Sequence, residues 1–264
     1  MHYRFPVIAA FFLASCASSP TMAPFPARVA ALLPADALLL GEQHDAEDHH
    51  RIEREVVAML TARGTLAALA LEMAEQGRST SGLAPDATES AVQAALAWND
   101  KAWPWRRYGP TVMAAVRAGV PVFGANLPRD RMRDRMQDAA LDARLDAVNL
   151  ARQRDAIRDG HCGLLPETQI SPMTRIQIAR DEAMARTVAD ARQAGKTVVL
   201  VAGGGHVLRD RGVPRHLPPG FNAKVLLMRA GPAQGTALGE VPAADMVEET
   251  PALPPVDHCA SLRK

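Results

Sequence analysis

Residues 37–45 read ALLLGEQHD, an apolar run that ends in a cluster of polar residues. The run has the length and composition of a strand buried on both faces. Ile52 and Val56 then recur at helical spacing, and Asp45 is predicted to cap this helix. A buried strand followed by an amphipathic helix is the repeating unit of a parallel α/β sheet, so this stretch predicts that fold class.

Apolar runs of strand length recur along the rest of the chain, separated by segments with helical periodicity. The predicted strands are residues 65–73, 120–126, 197–202, 223–228 and a short last one at 246–248. Because these runs are unbroken, we expect an α/β fold with a mostly parallel central sheet and helices on both faces. Residues 28–264 are predicted to form a single domain with a charged helical insertion at about 129–170. A helix with Pro172 at its first position is expected next.

Polar side chains stand at the ends of four predicted strands. The ligand site of a parallel α/β sheet lies beyond the carboxyl ends of its strands, so these side chains should meet in one pocket. They are Glu42, His44, Glu72, Asn126 and His206. His49 shares the inward side of the first helix, and two interpretations stay open: a further site residue, or a histidine held by structural hydrogen bonds. His50 is expected at the rim.

Imidazoles and carboxylates are ligands that a transition metal such as zinc prefers. His44, Glu72 and His206 are the predicted ligands of a divalent metal that activates water, as in a metal-dependent hydrolase. Alternatively, Glu42 or Glu72 acts as general acid or base with a histidine. The sequence contains no H-E-x-x-H, G-x-S-x-G or P-loop motif, which disfavours zincins, serine esterases and P-loop nucleotidases.

The aromatic residues cluster in one short segment. All three tryptophans and Tyr108 lie between residues 98 and 108. This segment is either a hydrophobic lid packed on the sheet or a platform for a large flat ligand. Tyr3 lies in the predicted leader, so Tyr108 is the one tyrosine of the predicted mature chain. If a tyrosine ligates iron in this protein, that ligand is predicted to be Tyr108.

The N-terminus has the features of an export signal. An apolar run from Phe5 to Ala14 follows Arg4 and ends in Leu13-Ala14-Ser15-Cys16, which resembles a bacterial lipobox. Residues 1–15 are therefore predicted to be a lipoprotein signal peptide, with Cys16 lipidated and residues 16–27 forming a flexible tether. No aspartate follows Cys16, which favours the periplasmic side of the outer membrane. The alternative is an ordinary secretory leader with a chance cysteine.

Two cysteines remain in the mature chain, and export places them in an oxidising compartment. Cys162 and Cys259 are therefore predicted to form a disulfide, the alternative being two unrelated thiols. The 30 basic and 29 acidic residues nearly cancel, so no nucleic-acid partner is expected.

Many short motifs, in chain order, resemble the ChaN-like haem-binding lipoproteins of the Tiki superfamily. They are residues 39–45 with His49-His50, 71–73, 105–110, 121–128, 161–163, Gln177 with Arg180-Asp181 and Met184-Ala185, 205–207 and 212–214. The resemblance implies an outer-membrane lipoprotein that binds haem for iron or haem uptake, with a homodimer enclosing the haem, and it favours a binding protein over an enzyme. Haem ligation in the family is attributed to a tyrosine, and Tyr108 is the one this chain offers. The wider superfamily includes metal-dependent proteases and erythromycin esterases. One departure is Gly204, where an asparagine often precedes the last Gly-His pair.

Overall fold

The structure is a computed structural model of the 264-residue chain, and it describes residues 23–231, 244–260 and 263. The predicted signal peptide and Cys16 lie outside the described residues. No helix within these ranges is long and apolar enough to cross a bilayer.

The core of the fold is one six-stranded sheet in which all neighbouring strands run parallel, in the order β3-β2-β4-β1-β5-β6. The strands are β1 (Ala37–Glu42), β2 (Leu66–Glu75), β3 (Val122–Asn126), β4 (Thr197–Gly203), β5 (Ala223–Ala230) and β6 (Met246–Thr250). Every residue of the central strands β1 and β4 is buried, which explains why their sequences are unbroken apolar runs.

Helices cover both faces of the sheet, as expected. They are α1 (Phe25–Ala30), α2 (Glu47–Ala62), α3 (Glu89–Ala95), α4 (Trp105–Arg117), α5 (Met132–Gln137), α6 (Ala147–Gly160) and α7 (Glu167–Asp190). Successive strand residues face opposite sides: Leu38 and Leu40 join the core beneath α2 and α4, whereas Leu39 joins the core beneath α7. The α/β class with a parallel sheet is confirmed.

Helix boundaries differ from the predictions at three points. Helix α1 begins at Phe25, so ordered structure starts inside the segment 16–27 that was expected to be a tether. Ala46 occupies the N-cap of α2 and no side chain caps this helix, so Asp45 does not have the predicted role. Helix α7 begins at Glu167, which places Pro172 inside it and shortens the predicted insertion of 129–170. A proline near the start of a helix removes only one internal hydrogen bond. The helix continues through Pro172 because the buried residues further along α7 stabilise it by packing.

A disulfide joins Cys162, just after α6, to Cys259 near the C-terminus. The two Cα atoms are 5.8 Å apart, within the range that a disulfide spans. The bond holds the C-terminal segment against the helical insertion.

Candidate functional site

A cavity of about 560 Å³ opens beyond the carboxyl ends of the strands, and we call it the strand-end cavity. Four of the predicted site residues line it: His44, Glu72, Asn126 and His206. Chain segments separated by as many as 162 residues therefore meet here, because the parallel strands all end at one edge of the sheet.

Glu42 lies beneath the cavity at the end of β1, where it is 3% exposed. Its Oε1 accepts hydrogen bonds from His44 Nδ1 at 2.7 Å and from the Tyr108 hydroxyl at 2.9 Å. Burial alone would raise the pKa of this carboxyl, but hydrogen bonds and the charge of His44 hold the pKa below its ordinary value. Glu42 is therefore an ionised carboxylate that orients the ring of His44.

His44 is the histidine of the site that remains open to the cavity. Its side chain is 38% exposed, and Nε2 makes no hydrogen bond within the described part of the chain. Burial opposes a charge on the ring, but the bond to Glu42 and the nearby Glu72 raise the pKa of His44. The Trp103 ring meets His44 edge-on, with ring centroids 4.9 Å apart.

Glu72 is held by three groups at the floor of the cavity. Its Oε2 accepts the Gly203 N–H at 2.7 Å and lies 3.9 Å from His44 Nε2, while Oε1 lies 3.5 Å from His206 Nε2. Burial acts to raise the pKa of Glu72, but the contact with charged His206, the charge of His44 and the hydrogen bond from Gly203 lower the pKa to about 2.

The backbone of β2 is irregular where it presents Glu72. The pairing of β2 with β3 shifts register between Leu71 and Glu75, and such bulges re-aim side chains beside functional sites. The backbones approach so closely that a Cβ on Gly124 would lie against the carbonyl oxygen of Glu75. Glycine is required at that position by this approach.

His206 lies on a short 3-10 turn (Gly204–Val207) that follows β4. Its Nδ1 donates to Asp181 Oδ1 at 2.6 Å, and its Nε2 faces Glu72. Burial would lower the pKa of His206, but the two carboxylates raise it to about 10. Burial raises the pKa of Asp181 to about 6, so at neutral pH both members of this pair are charged.

Asp181, which α7 brings to the site, belongs to the Arg180-Asp181 motif of the family resemblance but was not among the predicted site residues. The signal that could have found it is an acidic residue on the buried face of a helix, because a buried carboxylate needs a partner. The sequence alone does not identify His206 as that partner.

The predicted metal set of His44, Glu72 and His206 is not supported. Both ring nitrogens of His206 already face carboxylates, Nδ1 toward Asp181 at 2.6 Å and Nε2 toward Glu72 at 3.5 Å. Within residues 23–231, 244–260 and 263, no three His, Cys, Asp or Glu side chains are grouped to hold a metal ion. The donor set therefore does not favour the metal-dependent hydrolase interpretation.

Tyr108 does not line the strand-end cavity, which corrects its assignment as an iron ligand. It is 1% exposed, and its hydroxyl donates to Glu42. Burial, followed by the charge of Glu42, raises the pKa of the phenol well above its usual value. The neutral hydroxyl is a structural donor to the carboxylate that orients His44.

His49 has a structural role, which decides between its two interpretations. Its Nδ1 accepts the Gln43 N–H at 2.9 Å, so Nε2 carries the proton and donates to Thr250 Oγ1 at 3.1 Å. Burial lowers the pKa of His49 to about 4, which keeps the ring neutral. The histidine ties the end of β1 to β6 and does not reach the cavity.

His50 is not at the rim, contrary to expectation. It is 6% exposed, its ring packs edge-on against Tyr108, and its Nε2 lies 3.4 Å from Glu42 Oε2. Glu42 is thus flanked by His44 on the cavity side and by His50 behind it.

Asn126 lines the cavity, but its amide holds the backbone. Nδ2 donates to the Glu72 carbonyl at 2.9 Å, and Oδ1 accepts the Leu127 N–H. Among the clustered tryptophans, Trp103 reaches the cavity, whereas Trp98 and Trp105 pack against the core and each other.

Apolar and cationic side chains that were not among the predicted site residues form much of the remaining cavity wall, beside the carboxylate Glu75. The apolar ones are Met73, Leu96, Leu127 and Met132, and the cationic ones are Arg78, Arg129 and Arg180. Two buried polar atoms of this wall, Arg180 Nε and Gln177 Oε1, have no hydrogen-bond partner among the described residues. Such a wall suits a flat apolar ligand that carries negatively charged groups.

Comparisons with known proteins agree with this architecture. Residues 28–217 match the family described as "Haem-binding uptake, Tiki superfamily, ChaN". No curated protein sequence matches the chain.

Two solved structures are similar. One, described as "Cofacial heme binding to ChaN of Campylobacter jejuni", is 23% identical and has a TM-score of 0.62, over 80% of this chain and 88% of that chain. The type III effector HopBA1 is 17% identical and has a TM-score of 0.45, over 83% and 88%, and is too distant to support an argument. The first similarity shows the fold, and the family match spans well over half of the sequence: this chain belongs to the ChaN family of haem-binding uptake proteins in the Tiki superfamily.

Proposed function

We propose that this chain binds haem in the strand-end cavity, with His44 as the ligand of the iron. One observation carries the assignment: His44 Nδ1 donates to the Glu42 carboxylate, which leaves the cavity-facing Nε2 as the ring nitrogen that gives up its proton when iron binds. A histidine that ligates a metal commonly gives its other N–H to a carboxylate, because this fixes the tautomer and raises the basicity of the ligating nitrogen. Histidine is a common axial ligand of haem.

The wall of the cavity fits haem in two further respects. Leu96, Leu127 and Met132 offer apolar contacts to a porphyrin ring. Arg180 lines the cavity, its buried Nε has no hydrogen-bond partner among the described residues, and a propionate carboxylate would supply an acceptor for this guanidinium. The family match and the cofacial haem binding of the similar Campylobacter jejuni ChaN support haem as the ligand.

Titration with haemin tests the proposal. The chain from residue 17 onward should give a saturable Soret band, and His44→Ala should weaken the affinity at least tenfold and shift the band. His258→Ala is the matched control, because His258 is exposed and lies outside the cavity. A titration without saturation contradicts haem binding, whereas an unchanged band in His44→Ala rejects His44 as the ligand.

A second pair of variants tests the contact with the propionates. Arg180→Ala should weaken haem binding several-fold without moving the Soret maximum, since a propionate partner does not touch the iron. Arg186→Ala is the control on the same helix, at an exposed position outside the cavity. Equal losses in the two variants would remove Arg180 from the site.

We further propose that the chain is a lipoprotein, anchored through Cys16 on the periplasmic side of the outer membrane and serving haem or iron uptake. The lipobox-like residues 13–16 support the anchor, and the Cys162–Cys259 disulfide fits an oxidising compartment. In membrane fractionation, the wild-type chain should sediment with outer membranes, and Cys16→Ala should not acquire radiolabelled fatty acid. Labelling of both chains, or of neither, would contradict the anchor.

We also propose that two copies of the chain form a homodimer that encloses the haem. Sedimentation velocity with and without haemin tests it: a haem-dependent dimer is the expected result, and a monomer that binds haem with unchanged affinity contradicts it.

A further inference from the structure

A second cavity, of about 290 Å³, lies between the first turns of α2 and α4, and we call it the arginine cavity. Glu42 separates it from the strand-end cavity, since His44 contacts one carboxylate oxygen of Glu42 and His50 faces the other. The side chains that give the arginine cavity its character are His50, Arg51, Arg54, Arg106 and Arg107.

The positive charge of this cavity is only partly compensated. Arg51 pairs with Asp48 and Glu55, and Arg107 Nη1 donates to the His44 carbonyl at 3.0 Å. Within the described part of the chain, Arg54 and Arg106 form neither an ion pair nor a hydrogen bond.

Two carboxylates, Asp45 and Glu47, also line the arginine cavity. They form no ion pair with its arginines among the described residues, so the guanidinium groups of Arg54 and Arg106 have no carboxylate partner within that part of the chain.

His50 supplies an independent observation that points to a ligand. It is 6% exposed, and neither of its ring nitrogens has a hydrogen-bond partner among the described residues. Nε2 lies 3.4 Å from Glu42 Oε2, so Nδ1 is the nitrogen left for a group inside the cavity. A buried polar atom without a partner is unfavourable. With the Nε2 proton directed at Glu42, Nδ1 is an acceptor, and the P–OH group of a hydrogen phosphate would supply its donor.

We propose that the arginine cavity binds a small oxyanion of the phosphate class. Guanidinium groups bind phosphate oxygens in pairs, which makes Arg54, Arg106 and Arg107 suited to a tetrahedral anion. The positive ends of two long helices, α2 and α4, add to the attraction. The volume of about 290 Å³ admits phosphate or a small phosphate ester.

Calorimetric titration of the haem-free chain from residue 17 onward with inorganic phosphate tests the site. We expect saturable binding at one site, and Arg54→Ala/Arg106→Ala should weaken it at least tenfold. The matched control is Arg63→Ala/Arg117→Ala, which removes two exposed arginines of the same helix pair outside the cavity. His50→Phe keeps an aromatic ring without its nitrogens and should also weaken binding.

The outcomes separate the alternatives. Absence of saturable phosphate binding overturns the proposal. An equal loss of affinity in the control pair also overturns it, because that result would indicate general attraction between positive charge and phosphate. Because the titration contains no haem, its result is independent of the proposed haem site.

The phosphate group could be free in solution or belong to a lipid headgroup, and vesicles distinguish these sources. Vesicles of phosphatidylcholine with phosphatidate should leave the chain in the supernatant if the anion is soluble. Sedimentation with phosphatidate vesicles that depends on Arg54 and Arg106, and that phosphate competes away, assigns the site to the headgroup. Binding to neither probe overturns the proposal.

Discussion

Two histidine–carboxylate pairs stand side by side at the edge of the sheet, one after β1 and one after β4. In both pairs Nδ1 donates to a carboxylate, at 2.7 Å from His44 to Glu42 and at 2.6 Å from His206 to Asp181. Both rings line the strand-end cavity, and both Nε2 atoms face Glu72, at 3.5 Å from His206 and 3.9 Å from His44. They differ in exposure: the side chain of His206 is 11% exposed, whereas that of His44 is 38% exposed. The same pairing therefore produces a fixed buried cation in one place and an available ligand in the other.

The largest expected effect is on stability, from His206→Gln. This change removes the cation between Glu72 and Asp181 and leaves two buried carboxylates without compensation, so the free energy of unfolding should fall by about 3–5 kcal/mol. His44→Gln should cost about 1–2 kcal/mol, since an amide can still donate to Glu42. Guanidinium unfolding of both variants measures the difference. Equal losses would erase the distinction between the two pairs.

The pH dependence of stability should single out His206. Its pKa rises from 6.5 in the unfolded chain to about 10 in the folded one. The stabilisation that protonated His206 provides is therefore complete below pH 6.5 and is lost as the pH rises toward about 10. Between about pH 7 and 10 the wild-type chain should lose several kcal/mol of stability, while His206→Gln stays nearly level. Unfolding curves at a series of pH values test this, and parallel pH profiles for the two chains would contradict it.

Gly203→Ala should disturb the His44–Glu42 pair and leave the His206–Asp181 pair in place. A Cβ at this position would lie 2.9 Å from His44 Nε2 and 3.5 Å from Glu72 Oε2. Because the ring of His44 borders open space, it should shift, with about tenfold weaker haem binding and about 1–2 kcal/mol lower stability. Gly205→Ala is the control, since its Cβ would meet nothing within 4 Å. Unchanged haem affinity in Gly203→Ala would show that the position of His44 does not matter.

The smallest effect is expected from Tyr108→Phe. The change removes one donor to Glu42 while His44 remains as the other, so we expect a loss of about 1 kcal/mol in unfolding free energy. The Soret maximum of the haem complex should not move. A shifted maximum would return the iron-ligand assignment to the tyrosine.

The fold was predictable because its strands can be recognised from local sequence. Unbroken apolar runs such as 37–41 and 197–202 require burial on both faces, and burial on both faces implies a parallel sheet with helices on each side. Parallel strands then carry their terminal residues to one edge, which brings His44, Glu72 and His206 together.

What escaped prediction depends on how helices are rotated and packed. Asp181 meets His206 because α7 turns that face toward β4, and Tyr108 lies beneath the cavity because α4 packs its aromatic face on the core. His50 is buried although it neighbours His49 in sequence, because the first turn of α2 is closed in by Tyr108. Such orientations are set by tertiary contacts that hydrophobic periodicity does not encode.

The Cys162–Cys259 bond closes a loop with a sequence separation of 97 residues, which contains α7, β4, β5 and β6. Both members of the His206–Asp181 pair and half of the sheet's strands belong to that loop. Cross-linking so long a segment restricts the unfolded chain by an amount on the order of 4–5 kcal/mol. Protein prepared with a thiol reductant therefore has a different free energy of unfolding from the oxidised protein. The stabilities of variants should be compared only between samples whose cysteines share one oxidation state.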